Sequence, residues 1–581
     1  MVMENLMDQQ LITATIVDMK WERITVQLDV KLDMRADIQL DDLDFYLVNN
    51  AYKARGFFKI EKLEDNVVRL RINVTNPGNC QCLMMGTYSI YVCDQEKVYT
   101  KCIVDPKVVP FMEDCSRTFL HNNRKKGYIV NFSVSETEEE LVLVMYVMDA
   151  EKIPMQLKSN RQIVKEAIKE PICTLKRNMG HMYWNSVYHH YVKKYKKYKH
   201  TVLFMTEQSP TLGSNLVAVK NRMKERGMDN EYTILESARP ASYEKMTKKS
   251  TRELIKKLAR SKYVFIDDHA PILDWLVLNE RTKLSQLWHA GAGFKSSGYS
   301  RWGHLGCPAP VSCHRQYSYG IAGSRHIGKF FAEVFGINDE QILPTGMPRM
   351  DEYLDENYQN AKREELYNTY PMCKGKKVIL FAPTYRGRKR ADASYPYHMI
   401  DFERLYDFCG DEYVVMFKMH PWVDEPVPIK EHMKDRFVDV NLYPNINDLF
   451  YIVEMLITDY SSNIFEFSLM RKPMLFFAFD KIQYSFSRGF HRDYEEAAPG
   501  KVCYTFDEVM DALEKKDYEY EKVEEYVEKH FDYIDSNASD RVIDWILLGN
   551  IPEDIKESIK ATRKKVKKMK NMDFSSLKEE E

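Results

Sequence analysis

Apolar and polar side chains alternate with period two over residues 11–150. The runs Ile24-Thr25-Val26-Gln27-Leu28-Asp29-Val30, Val67-Val68-Arg69-Leu70-Arg71-Ile72-Asn73-Val74, Tyr88-Ser89-Ile90-Tyr91-Val92 and Leu141-Val142-Leu143-Val144-Met145-Tyr146-Val147 are rich in β-branched and aromatic residues. Turn formers such as Asn76-Pro77-Gly78-Asn79 separate them. Short strands punctuated in this way predict an antiparallel sandwich. No catalytic constellation stands out there, so an accessory, acceptor-binding module and a structural appendage both remain open.

Over 163–200 the period becomes helical. Tyr188, Tyr191, Tyr195 and Tyr198 form one stripe, with Lys193, Lys194, Lys196, Lys197 and Lys199 around it. An aromatic, basic amphipathic helix can lie in the interface of an anionic membrane. It can equally be a connector whose tyrosines pack on a neighbouring lobe. From residue 201 buried strand patterns alternate with helical ones. Val202-Leu203-Phe204-Met205 precedes a helix over 215–226, and Tyr263-Val264-Phe265-Ile266 ends at Asp267-Asp268. A second series follows: a strand over 377–384, then Tyr413-Val414-Val415-Met416-Phe417-Lys418, Met455-Leu456-Ile457-Thr458 and Met474-Leu475-Phe476-Phe477. Such alternation predicts parallel βαβ units, and two successive Rossmann-like halves are the simplest arrangement. The predicted organisation is therefore a β-sandwich-like unit over 1–150, a helical connector over 151–200, α/β units over 201–345 and 346–547, and a tail over 548–581. In the tail the apolar pattern fades and residues 556–570 are strongly basic, which predicts a mobile helix or disorder.

Composition narrows the class. A chain of 581 residues with 44% apolar and 12% aromatic content is globular and too long for one core. A formal net charge of −2 argues against a general nucleic-acid-binding surface. The start carries acidic residues and no basic region before an apolar run, so no secretory signal is read and a cytoplasmic protein is expected. Apolar stretches fall well short of the roughly 20 residues that cross a bilayer, so membrane contact would be peripheral. The 11 cysteines are scattered and expected to be free thiols. His304, Cys307, Cys313 and His314 share one Gly- and Pro-rich stretch and offer zinc-type donors, but their spacing fits no standard finger. Buried or solvated side chains are the expected account, and neither a metal nor a cofactor is assigned.

Candidate chemistry clusters at strand ends, where open α/β sheets bind ligands. His289 precedes Ala290-Gly291-Ala292-Gly293, whose small residues admit a close ligand, and Lys295 adds charge; His289 is the candidate general base. Arg386 stands just past a strand, where its fork could clamp phosphate. Lys418 and His420 alternate at the next strand end and are expected to point to one side. Thr458, Asp459, Ser461 and Ser462 lead into a helix with a capping box formed with Glu466, a ready anion site whose acid could reach ribose hydroxyls. No paired carboxylates appear. Arginine, histidine and helix-end amides suit phosphoryl transfer, which needs charge neutralisation more than covalent catalysis.

The ordered set Trp288-His289-Ala290-Gly291 with Lys295, Thr345-Gly346-Met347-Pro348-Arg349-Met350-Asp351, Phe381-Ala382-Pro383-Thr384-Tyr385-Arg386-Gly387, Lys418-Met419-His420-Pro421, Thr458-Asp459-Tyr460-Ser461-Ser462, Arg471-Lys472-Pro473 and Ala498-Pro499-Gly500 resembles the CDP-glycerol glycerophosphotransferase family, the teichoic acid polymerases and primases. The likeness runs over about 201–544. Gly298-Tyr299-Ser300-Arg301 and Lys20-Trp21-Glu22-Arg23 resemble the ribitol-phosphate branch more than the glycerol enzymes. What the resemblance implies is a GT-B fold at the inner face of a bacterial plasma membrane, and transfer of polyol phosphate from a CDP-activated donor to a lipid-linked acceptor with release of CMP. By the same carry-over His289 is the base, Arg386, His420, Ser461 and Ser462 hold the pyrophosphate, and Glu466 holds the ribose. Ribitol and glycerol both stay open as the polyol. A GT-B glycosyltransferase using a nucleotide sugar is the alternative, and a noncatalytic polymer-binding protein built on the β-rich unit is a third.

Overall fold

The computed structural model describes residues 11–50, 55–64, 66–94, 97–121, 126–135, 142–150, 160–195, 200–239, 247–387 and 390–572. The first 150 residues supply two sheets. One has five strands in the order Lys59–Glu64, Val67–Asn73, Thr25–Met34, Ile12–Glu22 and Ile103–Val104. The other has seven, with Arg117–His121, Lys126–Val134, Leu143–Ala150, Gly86–Cys93, Asp44–Asn49 and Arg55–Phe57 in line and Val98–Lys101 beside Gly86–Cys93. Period-two alternation works as expected: in Val67–Asn73, Val68, Leu70 and Ile72 are buried between partly exposed neighbours. Both sheets contribute to one core, in which Val26, Leu28 and Leu70 meet Phe45, Tyr88 and Val130.

The sequence from 201 onwards builds two six-stranded sheets, parallel throughout. The first runs Thr233–Ala238, Thr201–Thr206, Tyr263–Ile266, Lys283–Gln286, Tyr317–Ile321, Ile342–Leu343. The second runs Phe437–Asp439, Tyr413–Phe417, Lys377–Phe381, Val453–Thr458, Met474–Phe477, Lys501–Cys503. Its order reverses between Lys377–Phe381 and Val453–Thr458, and the loops leaving those strands at their carboxyl ends open the crevice where such sheets take ligands. The chain is thus mixed α/β with four sheets among the described residues.

Three features tie the units together. Tyr299 and Trp302 leave the first parallel sheet and bury themselves in the core of the amino-terminal sheets, where Trp302 stacks on His121 at 5.3 Å. Residues 521–547 return from the second sheet to the first: Asp540 accepts from Arg222 and Arg226, and Asp544 from Arg226 at 2.8 Å. The helix Glu553–Asn571 then crosses to the amino-terminal sheets. Lys565 and Lys568 pair with Asp44 at 2.7 and 3.1 Å, and Met569 is buried with Tyr46, Val48 and Tyr91.

Over Glu553–Asn571 the tail is the helix that was one of the two expectations, but packed against the amino-terminal sheets where a mobile one was expected; residues 573–581 lie outside the described residues. Ile555, Ile559, Val566 and Met569 form an apolar stripe at helical spacing, obscured in the sequence by the lysines between them. The connector helix spans Asn160–Lys194. Its Tyr188 is fully buried and accepts a hydrogen bond from the Asn279 amide at 2.9 Å, while Lys256 lies over the Tyr191 ring. Lys196, Lys197, Tyr198 and Lys199 lie outside the described residues.

Candidate functional site

His289 follows the strand Lys283–Gln286 by three residues. Gln286 and Asn215 shape the turn between them. The Gln286 side chain accepts from the Trp288 amide at 2.9 Å, and Asn215 Nδ2 donates to the carbonyls of Leu287 and Trp288, both at 2.9 Å. These bonds hold Trp288 at φ 47°, a left-handed conformation that is costly for a bulky residue and that turns the chain outward at His289. The imidazole is half exposed, with Nδ1 3.1 Å from the Asp267 carbonyl and 3.6 Å from Asp268 Oδ2. A carbonyl can only accept, so Nδ1 carries the hydrogen, and in the neutral tautomer the lone pair would lie at Nε2, the form a general base requires. Asp267 is itself placed by Gly213, whose amide donates to Oδ2 at 2.9 Å. A Cβ at Gly213 would lie 2.2 Å from that oxygen, so only glycine allows the contact.

The segment after His289 stitches the two parallel sheets together. A Cβ at Gly291 would come within 2.4 Å of the Phe465 ring. Ser296 N donates to Gly489 O at 3.1 Å, and His491 N donates to Phe294 O at 3.0 Å. Arg349 bridges the same junction: Nη1 donates to the His289 carbonyl at 2.7 Å while Nε and Nη2 hold Glu466 Oε1, the Nε contact being 3.1 Å. Glu466 is buried. Lys295 enters the junction with Nζ 3.5 Å from Thr384 Oγ1 and over the Tyr484 ring. Burial, with the Arg488 and Arg386 charges, pulls its ammonium down to about 8 against the opposing pull of Asp459.

On the second sheet the expected ligands divide into two groups. Arg386 sends Nε and Nη2 to the two oxygens of Asp480, at 2.6 and 2.8 Å, and Nη1 to Asp459 Oδ2 at 2.9 Å. Its fork is occupied by carboxylates, which raise its pKa despite burial. Asp459 is fully buried and also accepts from the amide of Thr384 at 2.7 Å, and Thr458 Oγ1 donates to the Ala382 carbonyl at 2.7 Å. Thr458, Asp459 and Arg386 therefore lock the loops of the two central strands to each other. Lys418 does not point with His420, as the alternation suggested. The strand ends at Phe417, and Lys418 Nζ turns back to the carbonyls of Asn441 and Tyr443, both at 2.7 Å.

The capping box is likewise absent. Asn463 makes no side-chain cap bond, the helix is only Ile464–Ser468, and Glu466 turns to Arg349 instead of back to the cap. Ser461 Oγ accepts from the Asn463 amide at 3.3 Å, and Ser461 and Ser462 stay partly exposed. His420 packs against Tyr385 with ring centroids 4.5 Å apart, and burial plus the Lys295 charge lowers its pKa to about 4, so it is neutral at physiological pH. Arg388 and Lys389 lie outside the described residues.

Arg349, Arg488 and Arg301 carry no role in the sequence reading, although Arg349 and Arg301 lie inside the recognised motifs. Arg488 donates to the Tyr385 hydroxyl at 2.8 Å. Arg301 buries its Nε without a protein partner, and burial together with Arg488 lowers its pKa. Lys295, Arg301 and Arg488 have no carboxylate within ion-pair distance among the described residues, although Asp459 attracts Lys295 from further off, so three cations gather near one junction without ion-pair partners. That arrangement suits a polyanionic ligand. The four zinc-type donors read from the sequence do not converge: Cys307 Sγ faces the Leu120 carbonyl at 3.7 Å and His314 Nδ1 lies 2.8 Å from the Tyr317 hydroxyl.

Known proteins share this framework. The family described as CDP-Glycerol:Poly(glycerophosphate) glycerophosphotransferase matches residues 186–548. The teichoic acid ribitol-phosphate polymerase TarL of Staphylococcus aureus (strain NCTC 8325 / PS 47) is 32% identical over 534 residues, 89% of this chain and 90% of that protein. The teichoic acid poly(ribitol-phosphate) polymerase of Bacillus spizizenii (strain ATCC 23059 / NRRL B-14472 / W23) is 41% identical over 302 residues, 52% of this chain and 49% of its own. Among solved structures, a variant of the wall teichoic acid polymerase TagF superposes with a TM-score of 0.50 at 21% identity, covering 67% of this chain and 99% of that one, a likeness of fold. The chain belongs to the CDP-glycerol:poly(glycerophosphate) glycerophosphotransferase family.

Proposed function

We propose that the protein transfers a polyol phosphate from a CDP-activated donor to a lipid-linked acceptor in the synthesis of teichoic acid or a related surface polymer. The observation that carries this reading is the pairing of an exposed His289, whose Nε2 has no partner among the described residues, with the cations Lys295, Arg301 and Arg488, which have no ion-pair partner among them. His289 takes the proton of the acceptor hydroxyl as that oxygen attacks the polyol-bearing phosphorus. The bond from this phosphorus to the bridging pyrophosphate oxygen breaks, and CMP leaves with the electron pair. The cations neutralise charge on the pyrophosphate as it builds on the leaving oxygen. His420, Ser461 and Ser462 line the donor side, with Glu466 held beside them by Arg349. The polyol is ribitol, in keeping with the ribitol-phosphate names of the relatives above.

The two parallel sheets, over 201–345 and 346–547, form the Rossmann-like lobes of a GT-B enzyme, and the sheets over 1–150 form an accessory sandwich. The enzyme works at the cytoplasmic face of the plasma membrane as a peripheral protein. No described helix is long and apolar enough to cross a membrane. On the helix Asn160–Lys194, however, Ile172, Leu175, Met179 and Met182 are exposed at helical spacing beside Lys176 and Arg177. Such a face supports interfacial docking.

The test is CMP release by pure, folded protein given a lipid-linked acceptor and CDP-ribitol, CDP-glycerol or a UDP-sugar. Release with CDP-ribitol is expected. Release with CDP-glycerol alone changes the polyol, and a response to the UDP-sugar alone overturns the proposal. Met179→Glu with Met182→Glu is expected to reduce sedimentation with anionic vesicles; unchanged sedimentation removes this face from the membrane contact.

A further inference from the structure

One cluster of metal-binding side chains lies outside the machinery described above. His269, Asp274 and Cys313 offer one ligand atom each, and these atoms all fall within 4.8 Å of one another. They form the only such group of histidine, cysteine and carboxylate residues among the described residues. We propose that they form a zinc site that pins the loop behind His289.

Zinc takes nitrogen, oxygen and thiolate ligands at about 2.0–2.3 Å, which sets tetrahedral ligand atoms roughly 3.3–3.8 Å apart. The three ligand atoms lie within about an ångström of that spacing. His269 Nε2 lies 3.0 Å from Asp274 Oδ1, and a cation needs only a few tenths of an ångström of opening between them, or the use of the second carboxylate oxygen. The donor set of one imidazole, one carboxylate and one sulfur suits zinc better than the oxygen-seeking magnesium or calcium. Cys313 is fully buried, whereas the His269 and Asp274 side chains are each 36% exposed. The ion would enter from that side and keep water as its fourth ligand.

The backbone segments that carry the three side chains are held by neighbouring glutamines. Gln316 Nε2 donates to the carbonyls of Leu273 and Leu276 at 2.7 and 2.9 Å, and its Oε1 accepts from the Leu278 amide at 2.8 Å. The turn Cys313–Gln316 is thereby fastened to the segment carrying Asp274. Gln208 Nε2 holds the His269 carbonyl at 2.7 Å. Outside the ligands, the Cys313 amide donates to Asp274 Oδ1 at 2.9 Å and the Tyr317 hydroxyl lies 3.6 Å from Cys313 Sγ, as outer partners of a metal site do. On binding, the Cys313 thiol releases its proton to solvent and the imidazole coordinates in its neutral form, so affinity falls as the pH is lowered.

The position gives the site a purpose. His269 is two residues beyond Asp267, whose carbonyl holds His289 Nδ1. A zinc ion would tie the loop 267–274 to the turn at 313–316 and keep that carbonyl in place. The ion acts in this way as a positioning element and takes no part in proton transfer or phosphorus chemistry.

The test uses the full chain, stripped of metal and titrated with Co²⁺ and then Zn²⁺. One equivalent of Co²⁺ is expected to produce a thiolate-to-metal absorption that Zn²⁺ displaces, and Zn²⁺ is expected to raise the melting temperature. Cys313→Ser is expected to abolish the absorption, and His269→Gln to weaken Zn²⁺ binding by more than the roughly 10–100-fold that loss of an outer partner costs. If Cys313→Ser does not fold, His269→Gln decides alone. No thiolate absorption in the parent protein, or Zn²⁺ binding unchanged in the folded variants, overturns the site. Neither result bears on which donor the enzyme uses.

Discussion

The loop that carries His289 and the loops that carry Arg386 and Asp459 leave parallel strands at comparable places, yet they spend their polar groups in opposite ways. Around His289 the fixing is done by neighbours, with Asn215, Gln286, Arg349 and the Asp267 carbonyl all engaging backbone or Nδ1, and Nε2 has no hydrogen-bond partner among the described residues. Around Arg386 the charged side chains fix one another, and the guanidinium has no fork left for a ligand. A charged residue at a strand end can thus be part of the frame or part of the site. A carboxylate partner marks a cation as part of the frame, and Lys295, Arg301 and Arg488 have none among the described residues.

Four experiments can break or sharpen this contrast. His289→Ala removes an exposed side chain, so the melting temperature should hold while turnover, read as CMP release, falls by about 10²–10⁴-fold or more with donor binding retained. Undiminished turnover would remove His289 as the base. Arg386→Ala leaves Asp459 and Asp480 facing each other uncompensated and should lose on the order of 3–5 kcal/mol in denaturant unfolding. A stable variant with only a raised donor KM would place Arg386 among the ligands. Arg488→Ala should behave the other way: stability within about 0.5 kcal/mol, and a donor KM raised roughly 10–100-fold, the worth of one charged hydrogen bond.

The mildest test is titration. The Lys295 ammonium, held down at about 8, is charged below that pH and neutral above it. Its attraction for the donor is therefore complete on the acid side and lost as pH rises, and kcat/KM for the donor should fall by up to about tenfold per pH unit above 8. His420, held near 4, should contribute no inflection at neutral pH. Lys295→Arg should move the alkaline limb out of range, and a limb that stays belongs to another group.

Much of the framework could be read from the residues, because buried parallel strands are continuous apolar runs. Val202–Met205, Tyr263–Ile266 and Met474–Phe477 were readable for that reason. Short or polar strands such as Lys283–Gln286 and Lys501–Cys503 carry no such run and emerge only from pairing with neighbours. The motifs located the junction, but not which members face it. Nothing local distinguishes Lys418, which turns to two carbonyls, from Lys295, which does not. Likewise Arg349 and Arg488 acquire meaning only from groups more than 50 residues away. Tyr299 stands in a motif and Trp302 just after it, yet both serve as an anchor in a separate core, a role that needs the other core to be visible.

The helix Glu553–Asn571 has a consequence for how the molecule is made. The surface it covers is formed by Tyr46, Val48, Tyr91, Cys93 and Val98, all present in the first hundred residues, whereas Met569, which packs over it, lies more than 450 residues further along the chain. At about 5–20 residues per second a ribosome needs on the order of 25–95 s to travel from one to the other. For that interval the nascent amino-terminal sheets carry an uncovered tyrosine-rich patch with the Asp44 carboxylate at its edge. The basic helix made later closes that patch, so this part of the amino-terminal fold waits on residues synthesised several hundred positions downstream.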